Sequence, residues 1–351
     1  MAKPHTPKLK FLCFGAGAIG GYIGGSLILA GHSVTFLERP EQAETLQSRG
    51  LVLKNPAGTF KIASLQVVSS LEETITAGPY DLGILAVKSY DTQSLLESLA
   101  PYAIALPPIL SLQNGVENEI LLAQVLGEDR VVSGTVTTAV GKPEPGTIVV
   151  ERLRGVGIAA EHPLAPTLVG VMDAAGLRAR LYTNGRAMKW SKMLTNLMGN
   201  ATSAILDMPP SEIYANPDLV KLEIAMLREA LAVMQALQIP VVDLPGTPVK
   251  GLVFLSSLPI RLSQPLWQQV LGKGRGKKMP SFHIDLESGR GKSEVEFLNG
   301  AVVRFGQKAG VPAPVNRCLT ELLMGITKGE IAWEDFRHNP TALLKRCGFP
   351  S

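Results

Sequence analysis

The stretch "KFLCFGAGAIGGYIG" (residues 10–24) decides the fold. Its first half is an apolar run of strand length that ends in glycines, and its second half reads as an amphipathic helix over 18–30. At the joint, Gly15, Gly17 and Gly20 stand as G-x-G-x-x-G. The first glycine permits a tight turn, the second lets a pyrophosphate approach the backbone, and the third lets helix pack on strand. Together with Ala16, Ala18 and Ile19 they open a helix whose free N–H groups suit a phosphate. A second strand, "HSVTFLE" (32–38), follows in the place the motif requires, so the context predicts dinucleotide binding.

That second strand ends in "FLERP", with Glu38 followed by Arg39. An acidic residue there binds the ribose hydroxyls of NAD, whereas an arginine pairs with the 2′-phosphate of NADP. The sequence carries both, and Glu38 reads equally as a solvated strand tip beside an Arg39 that takes the phosphate.

Outward from this unit, "YDLGILAVKS" (80–89) and "PPILSLQNG" (107–115) read as further strands. Helical patterns follow them at 91–99 and 116–126, and "RVVSGTVTTAV" (130–140) is β-rich before the turn "GKPEPGT". The alternation implies a parallel sheet with helices on its faces. After about Thr183 apolar residues recur at three and four, as in 218–237 and 293–310. The expected architecture is α/β: a Rossmann-type dinucleotide-binding domain over 1–183, with a flexible tail at 1–9, and a mostly α-helical domain over 184–351.

With 351 residues, 46% hydrophobic and 18% charged, the chain has the composition of a two-domain globular protein. Its net charge of +4 suits an anionic small molecule and falls short of a nucleic-acid footprint. No stretch reaches the length of a membrane span. Cys13, Cys318 and Cys347 are widely spaced, and the expectation is reduced thiols in a cytoplasmic protein, with no metal site. His32, His162 and His283 form no metal spacing. The basic loop 272–278 reads as solvated, and a homodimer is compatible with the apolar helical half.

In "WSKMLTNLMGNATSAILD" (190–207), which reads as one buried helix, Lys192, Asn196 and Asn200 recur at a spacing of four and would line one face. Burying such a row is costly unless something hydrogen-bonds to it, so the row predicts a site. Among the carboxylates further on, Glu294 shares a helical face with Phe297, Leu298 and Ala301, while Glu296 points away.

Several motifs in order, "CFGAGAIGG", "AVKSYD" (86–91), "LQNGVEN" (112–118), "WSKMLTN" (190–196) and "KSEVEFLNG" (292–300), give a chain that resembles the ketopantoate reductases (2-dehydropantoate 2-reductases). The thirteen residues from Ser281 to Glu294 also match the family's spacing. The resemblance implies reduction of a 2-keto acid, with NADP(H) favoured over NAD(H). It implies Lys192 as general acid and Glu294 as the carboxylate that holds the substrate hydroxyl. Asn196, Asn200 and Ser281 match substrate-binding groups, Asn114 the asparagine between cofactor and substrate, and Lys88 a lysine of the cofactor cleft. The chain departs from compact members by a longer 240–281 segment and by "KKMP" before Ser281. Two alternatives follow: a reductase of the same fold for another branched 2-keto acid, and an NADP(H)-binding regulator without turnover.

Overall fold

The computed structural model describes residues 7–273 and 278–349. The chain divides into two compact units. One runs to Lys189 and takes in Leu244–Thr247; the other comprises Trp190–Asp243 and resumes at Pro248.

The first unit is built on β1 (Lys10–Phe14), α1 (Ala18–Leu29), β2 (Ser33–Leu37), α2 (Pro40–Arg49), β3 (Leu51–Asn55), β4 (Gly58–Ile62) and β5 (Gln66–Val68). It continues with α3 (Leu71–Ala77), β6 (Leu82–Leu85), α4 (Thr92–Leu99), β7 (Ile109–Ser111), α5 (Asn118–Leu126) and β8 (Val131–Val136). It ends with β9 (Ala139–Glu144), β10 (Thr147–Arg152), β11 (Val156–Ala159), α6 (Ala165–Ala174) and β12 (Ala179–Tyr182). Eight strands form one sheet in the order β12-β11-β8-β7-β6-β1-β2-β5. All neighbouring pairs are parallel except β11 with β8. The central strands are largely apolar because helices cover both sheet faces: in β6 every residue is buried. From β1 the chain winds outward to β2 and β5, then returns to β6, β7 and β8 on the other side. The strand order therefore reverses at β1, which makes its carboxyl end the place where such sheets bind ligands.

A second sheet, in the order β4-β3-β10-β9, packs on α1. The pairs of glycines along α1 make room for it. A Cβ on Gly21 would lie 2.9 Å from the Ile148 side chain, and one on Gly25 2.8 Å from Leu51. Leu9, expected in a flexible tail, is fastened: its N–H donates to His32 Nδ1 at 3.2 Å, and its carbonyl accepts from Ser33 N at 3.1 Å.

The division between the units falls within α7 (Gly185–Leu197). The second unit continues with α8 (Ala201–Leu206), α9 (Pro210–Ile213), α10 (Pro217–Ala236), α11 (Val249–Ser257) and α12 (Ile260–Trp267). It ends with α13 (Ser281–Glu287), α14 (Asn299–Ala309), α15 (Pro314–Thr327) and α16 (Pro340–Arg346). The longest helix, α10, is started by Asn216, whose side chain accepts from Asp218 N and Leu219 N, and it packs on α14 and α15. Glu229 of α10 caps α15 in turn, accepting from Val315 N at 2.8 Å and Asn316 N at 2.9 Å. The expected continuous helix over 293–310 is broken at Leu298 into a 3₁₀ turn, Glu294–Phe297, and α14.

The expectation of reduced thiols is overturned. Cys318 of α15 and Cys347, just past α16, form a disulfide across 29 residues, so only Cys13 is a free thiol. Wide spacing in sequence is no bar to pairing, because the chain returns on itself between the two helices. Among the described residues, no helix is long and apolar enough to cross a membrane. Of the basic loop, Arg275 and Lys277 lie outside the described residues, and Lys278 is exposed.

Candidate functional site

The glycine turn is braced from several sides. Gly15 takes φ +92°, a conformation open to glycine, and its N–H donates to Leu37 O at 3.0 Å. A Cβ on Gly20 would fall 1.9 Å from Gly15 O, so helix and turn approach as closely as the backbone permits. Around Gly17, by contrast, nothing lies within 4 Å of where a Cβ would be. Gly17 precedes Ala18 and Ile19, whose helix has no side-chain cap at its start. Bare backbone before an uncapped N-terminus fits the pyrophosphate of a dinucleotide.

Cys13, which sequence reasoning did not place, and Glu38, in a role it did not assign, hold the turn from beneath and beside. The Cys13 thiol is fully buried and lies 3.4 Å from Gly15 O. Burial, and then the nearby Glu38 charge, push its pKa far above the usual thiol range, so it stays a neutral donor. Glu38 accepts from Ala16 N and, at 3.3 Å, from Arg39 N. The strand-tip carboxylate therefore serves the backbone of the turn. Arg39 remains largely exposed, with Nη2 3.7 Å from Asp91 Oδ2.

Lys88 and Asn114 are joined by a buried network. Lys88 precedes a 3₁₀ turn, Ser89–Asp91. Ser89 Oγ donates to Asn114 O at 2.9 Å, and Asn118 Nδ2 donates to the same carbonyl at 2.7 Å. Gln113 Nε2 donates to Val87 O at 2.9 Å and Thr92 Oγ1 at 2.7 Å, and Thr92 Oγ1 donates to Asn118 Oδ1 at 3.1 Å. These bonds fix the two loops at the carboxyl ends of β6 and β7. Lys189, a further residue the sequence reading passed over, is buried against the same loop: its Nζ lies 2.6 Å from Gln113 O and 2.8 Å from Glu119 Oε1. The signal was present in its flanks, Met188 and Trp190, both buried.

In the second unit the expected single helix over 190–207 is two. α7 ends at Leu197, Gly199 takes φ +65°, and Asn200 precedes α8. Lys192 and Asn196 are half-buried on α7. Asn200 keeps its place beside them across the break, because its Nδ2 donates to Asn196 O at 3.2 Å. Its side chain also reaches α13: Nδ2 lies 3.3 Å from Ser281 Oγ, and Oδ1 accepts from Phe282 N at 3.1 Å. Asn200 is thus buried and bonded within the protein, and half-buried Ser281 is held by it. Glu294 is 2% exposed at the start of its 3₁₀ turn, whereas Glu296 is exposed.

The break at Gly199 has its own anchor, Glu223 of α10, which is fully buried. It accepts from Gly199 N at 2.6 Å, from Thr202 Oγ1, and from Tyr214 OH at 3.0 Å. Three donors on one buried carboxylate lock the α7–α8 turn. The structure therefore gathers the turn-forming glycines, Arg39, Lys88 and Asn114 in the first unit. Lys192, Asn196, Asn200, Ser281 and Glu294 belong to the second.

The ketopantoate reductase PanE/ApbA family model matches residues 11–160, and the model of the family's C-terminal part matches 184–327. A 2-dehydropantoate 2-reductase of Archaeoglobus fulgidus is 30% identical over 324 residues, covering 90% of this chain and 97% of that protein. The crystal structure of a PanE/ApbA family ketopantoate reductase from Ralstonia eutropha JMP134 superposes with a TM-score of 0.77 at 28% identity, covering 92% of this chain and 99% of that one. A D-mandelate dehydrogenase solved with NADH and anilino(oxo)acetate shares the fold at 19% identity, with a TM-score of 0.74 over 92% of this chain and 99% of that one.

Proposed function

This chain belongs to the ketopantoate reductase PanE/ApbA family, and from that premise we propose that it reduces 2-dehydropantoate to pantoate with NADPH. The observation that carries this reading is the fastening of Asn200 to both Asn196 and Ser281, residues remote in sequence that the reaction needs together.

When bound, the reduced nicotinamide supplies a hydride to the keto carbon. The charge that develops on the carbonyl oxygen needs a proton and a positive field, and the Lys192 ammonium provides both. The Asn196 amide donates and accepts, which suits a substrate bearing carboxylate, keto and hydroxyl groups, and the Ser281 hydroxyl adds a second such partner. Glu294, a buried acceptor, holds the substrate hydroxyl; Lys88 and Asn114 border the cofactor. Asn200 acts here by orienting Ser281.

NADPH is favoured over NADH because the Glu38 carboxylate is engaged by Ala16 N and Arg39 N, while the exposed Arg39 guanidinium is available to a 2′-phosphate. The pathway served is that leading to pantothenate, and the reading places the chain in the cytoplasm. Exposed Phe254, Leu262, Leu266 and Val270 support self-association into a homodimer, which sedimentation tests.

The test of the activity is NADPH oxidation across a panel of branched 2-keto acids, repeated with NADH. Turnover fastest with 2-dehydropantoate supports the reading, and a clear preference for another acid shifts the substrate alone. Folded protein that binds NADPH and reduces none of them ends the enzymatic reading.

A further inference from the structure

The second sheet brings a cation to the glycine turn. β9 runs alongside α1, with the Thr138 side chain, just before the strand, next to the Tyr22 hydroxyl midway along the helix. Four residues later, Lys142 Nζ lies 3.5 Å from Ala16 O, immediately ahead of the start of α1. The close approach of Ile148 to Gly21 presses the β9–β10 hairpin onto the helix, so this delivery is a property of the packed fold. The strand thus carries an ammonium to the end of α1 that has bare backbone at Gly17 and no side-chain cap.

The charges around this point are unequal. Glu38 places a carboxylate on Ala16 N, beside the expected seat of a pyrophosphate, where a negative charge is unfavourable for a second anion. Lys142 is exposed, and among the described residues it makes no ion pair and one hydrogen bond, to a neutral carbonyl. An ammonium gains a stronger, charge-assisted bond by moving from that carbonyl to a phosphate oxygen. Resting on the reading of the turn as a dinucleotide site, we propose that Lys142 is a further cofactor-binding residue, pairing with the pyrophosphate and offsetting the Glu38 charge. Arg39, at the end of β2, serves the separate 2′-phosphate.

Calorimetric titration of the full chain separates the two roles. ADP carries the pyrophosphate without a 2′-phosphate, and adenosine 2′-monophosphate carries the reverse. Lys142→Ala weakens NADPH and ADP by about 10-fold, and Lys142→Arg restores both. Adenosine 2′-monophosphate binds the Ala variant as it binds wild type. The salt dependence of ADP binding also becomes shallower, because one charge contact is lost. Lys142→Ala protein that binds ADP as tightly as wild type overturns the proposal alone. Wild-type protein that binds neither NADPH nor ADP overturns the dinucleotide reading, and this inference with it.

Discussion

In the proposed reaction Lys192 supplies a proton and a positive field at one oxygen atom, which makes its removal a sharp test. Lys192→Ala is expected to lower kcat for the keto acid roughly a thousandfold, the range for a lost general acid. NADPH affinity, assigned in this reading to residues of the other unit, should stay at its wild-type value; calorimetry and steady-state kinetics read the two separately. Cys13 makes a different kind of prediction. Its burial and the neighbouring Glu38 charge disfavour the thiolate, which is the reactive form. A thiol-specific reagent at mildly alkaline pH should therefore leave native protein unmodified and label one thiol on unfolding without reductant. Rapid native labelling would show that the floor of the glycine turn is open. Both residues act through chemistry that a sequence displays unevenly: Lys192 announces itself by its stride to Asn196, whereas Cys13 looks like any small apolar residue in a strand.

At the scale of elements, the turn between α7 and α8 and the junction of α8 with α13 carry the groups proposed to face the substrate. Glu223→Leu would leave Gly199 N, Thr202 Oγ1 and Tyr214 OH without their acceptor, at a cost of about 3 kcal/mol. Glu223→Gln keeps an oxygen for Gly199 N and turns an amide to Thr202, whose hydroxyl can accept, so denaturant unfolding should show a cost of only about 1 kcal/mol. Asp207, following α8, accepts from His283 of α13 at 2.7 Å and from Arg337. Burial raises its pKa, but the hydrogen bonds and charges of His283 and Arg337 outweigh that and hold it below 3.8. A depressed folded pKa gives stability that is present above the unfolded value and is lost as pH falls through the folded one. The stability gap between wild type and Asp207→Asn should thus shrink below about pH 4; a gap that widens on acidification would refute the assignment. Elements were legible where burial was complete, as in β1 and β6, and illegible where it was partial. Only Ile62 of β4 is buried, and β9 ends exposed with Pro143 on an edge strand, so the second sheet left no alternating pattern. Glu223 was hidden for another reason: its three partners come from separate elements, and no spacing along the chain links them.

For the whole molecule, the glycine turn and the helical second half conveyed the architecture, because a Rossmann-type unit has a local fingerprint and a helical unit has a period. The strand order, with its reversal at β1, follows from that fingerprint. Long-range closure does not, and the disulfide is the instance. Cys318 and Cys347 share no motif, yet α15 and α16 bring them together and staple the C-terminal end of the second unit. A link closing a loop of 29 residues restricts the unfolded chain and, in the chain-entropy account, contributes roughly 3–4 kcal/mol. Unfolded protein should therefore expose one thiol before reduction and three after it. Cys318→Ser with Cys347→Ser should lower stability by about that amount while leaving NADPH binding unchanged, since the proposed cofactor residues lie in the other unit. If three thiols react without reductant, the pair is open in solution and the double variant should match wild type. The outcome also bears on where the protein works, because a persistent disulfide is uncommon in the reducing cytoplasm of mesophiles. A linked pair in freshly lysed cells, trapped by acid and alkylation, would show that this closure persists in the compartment where the protein works.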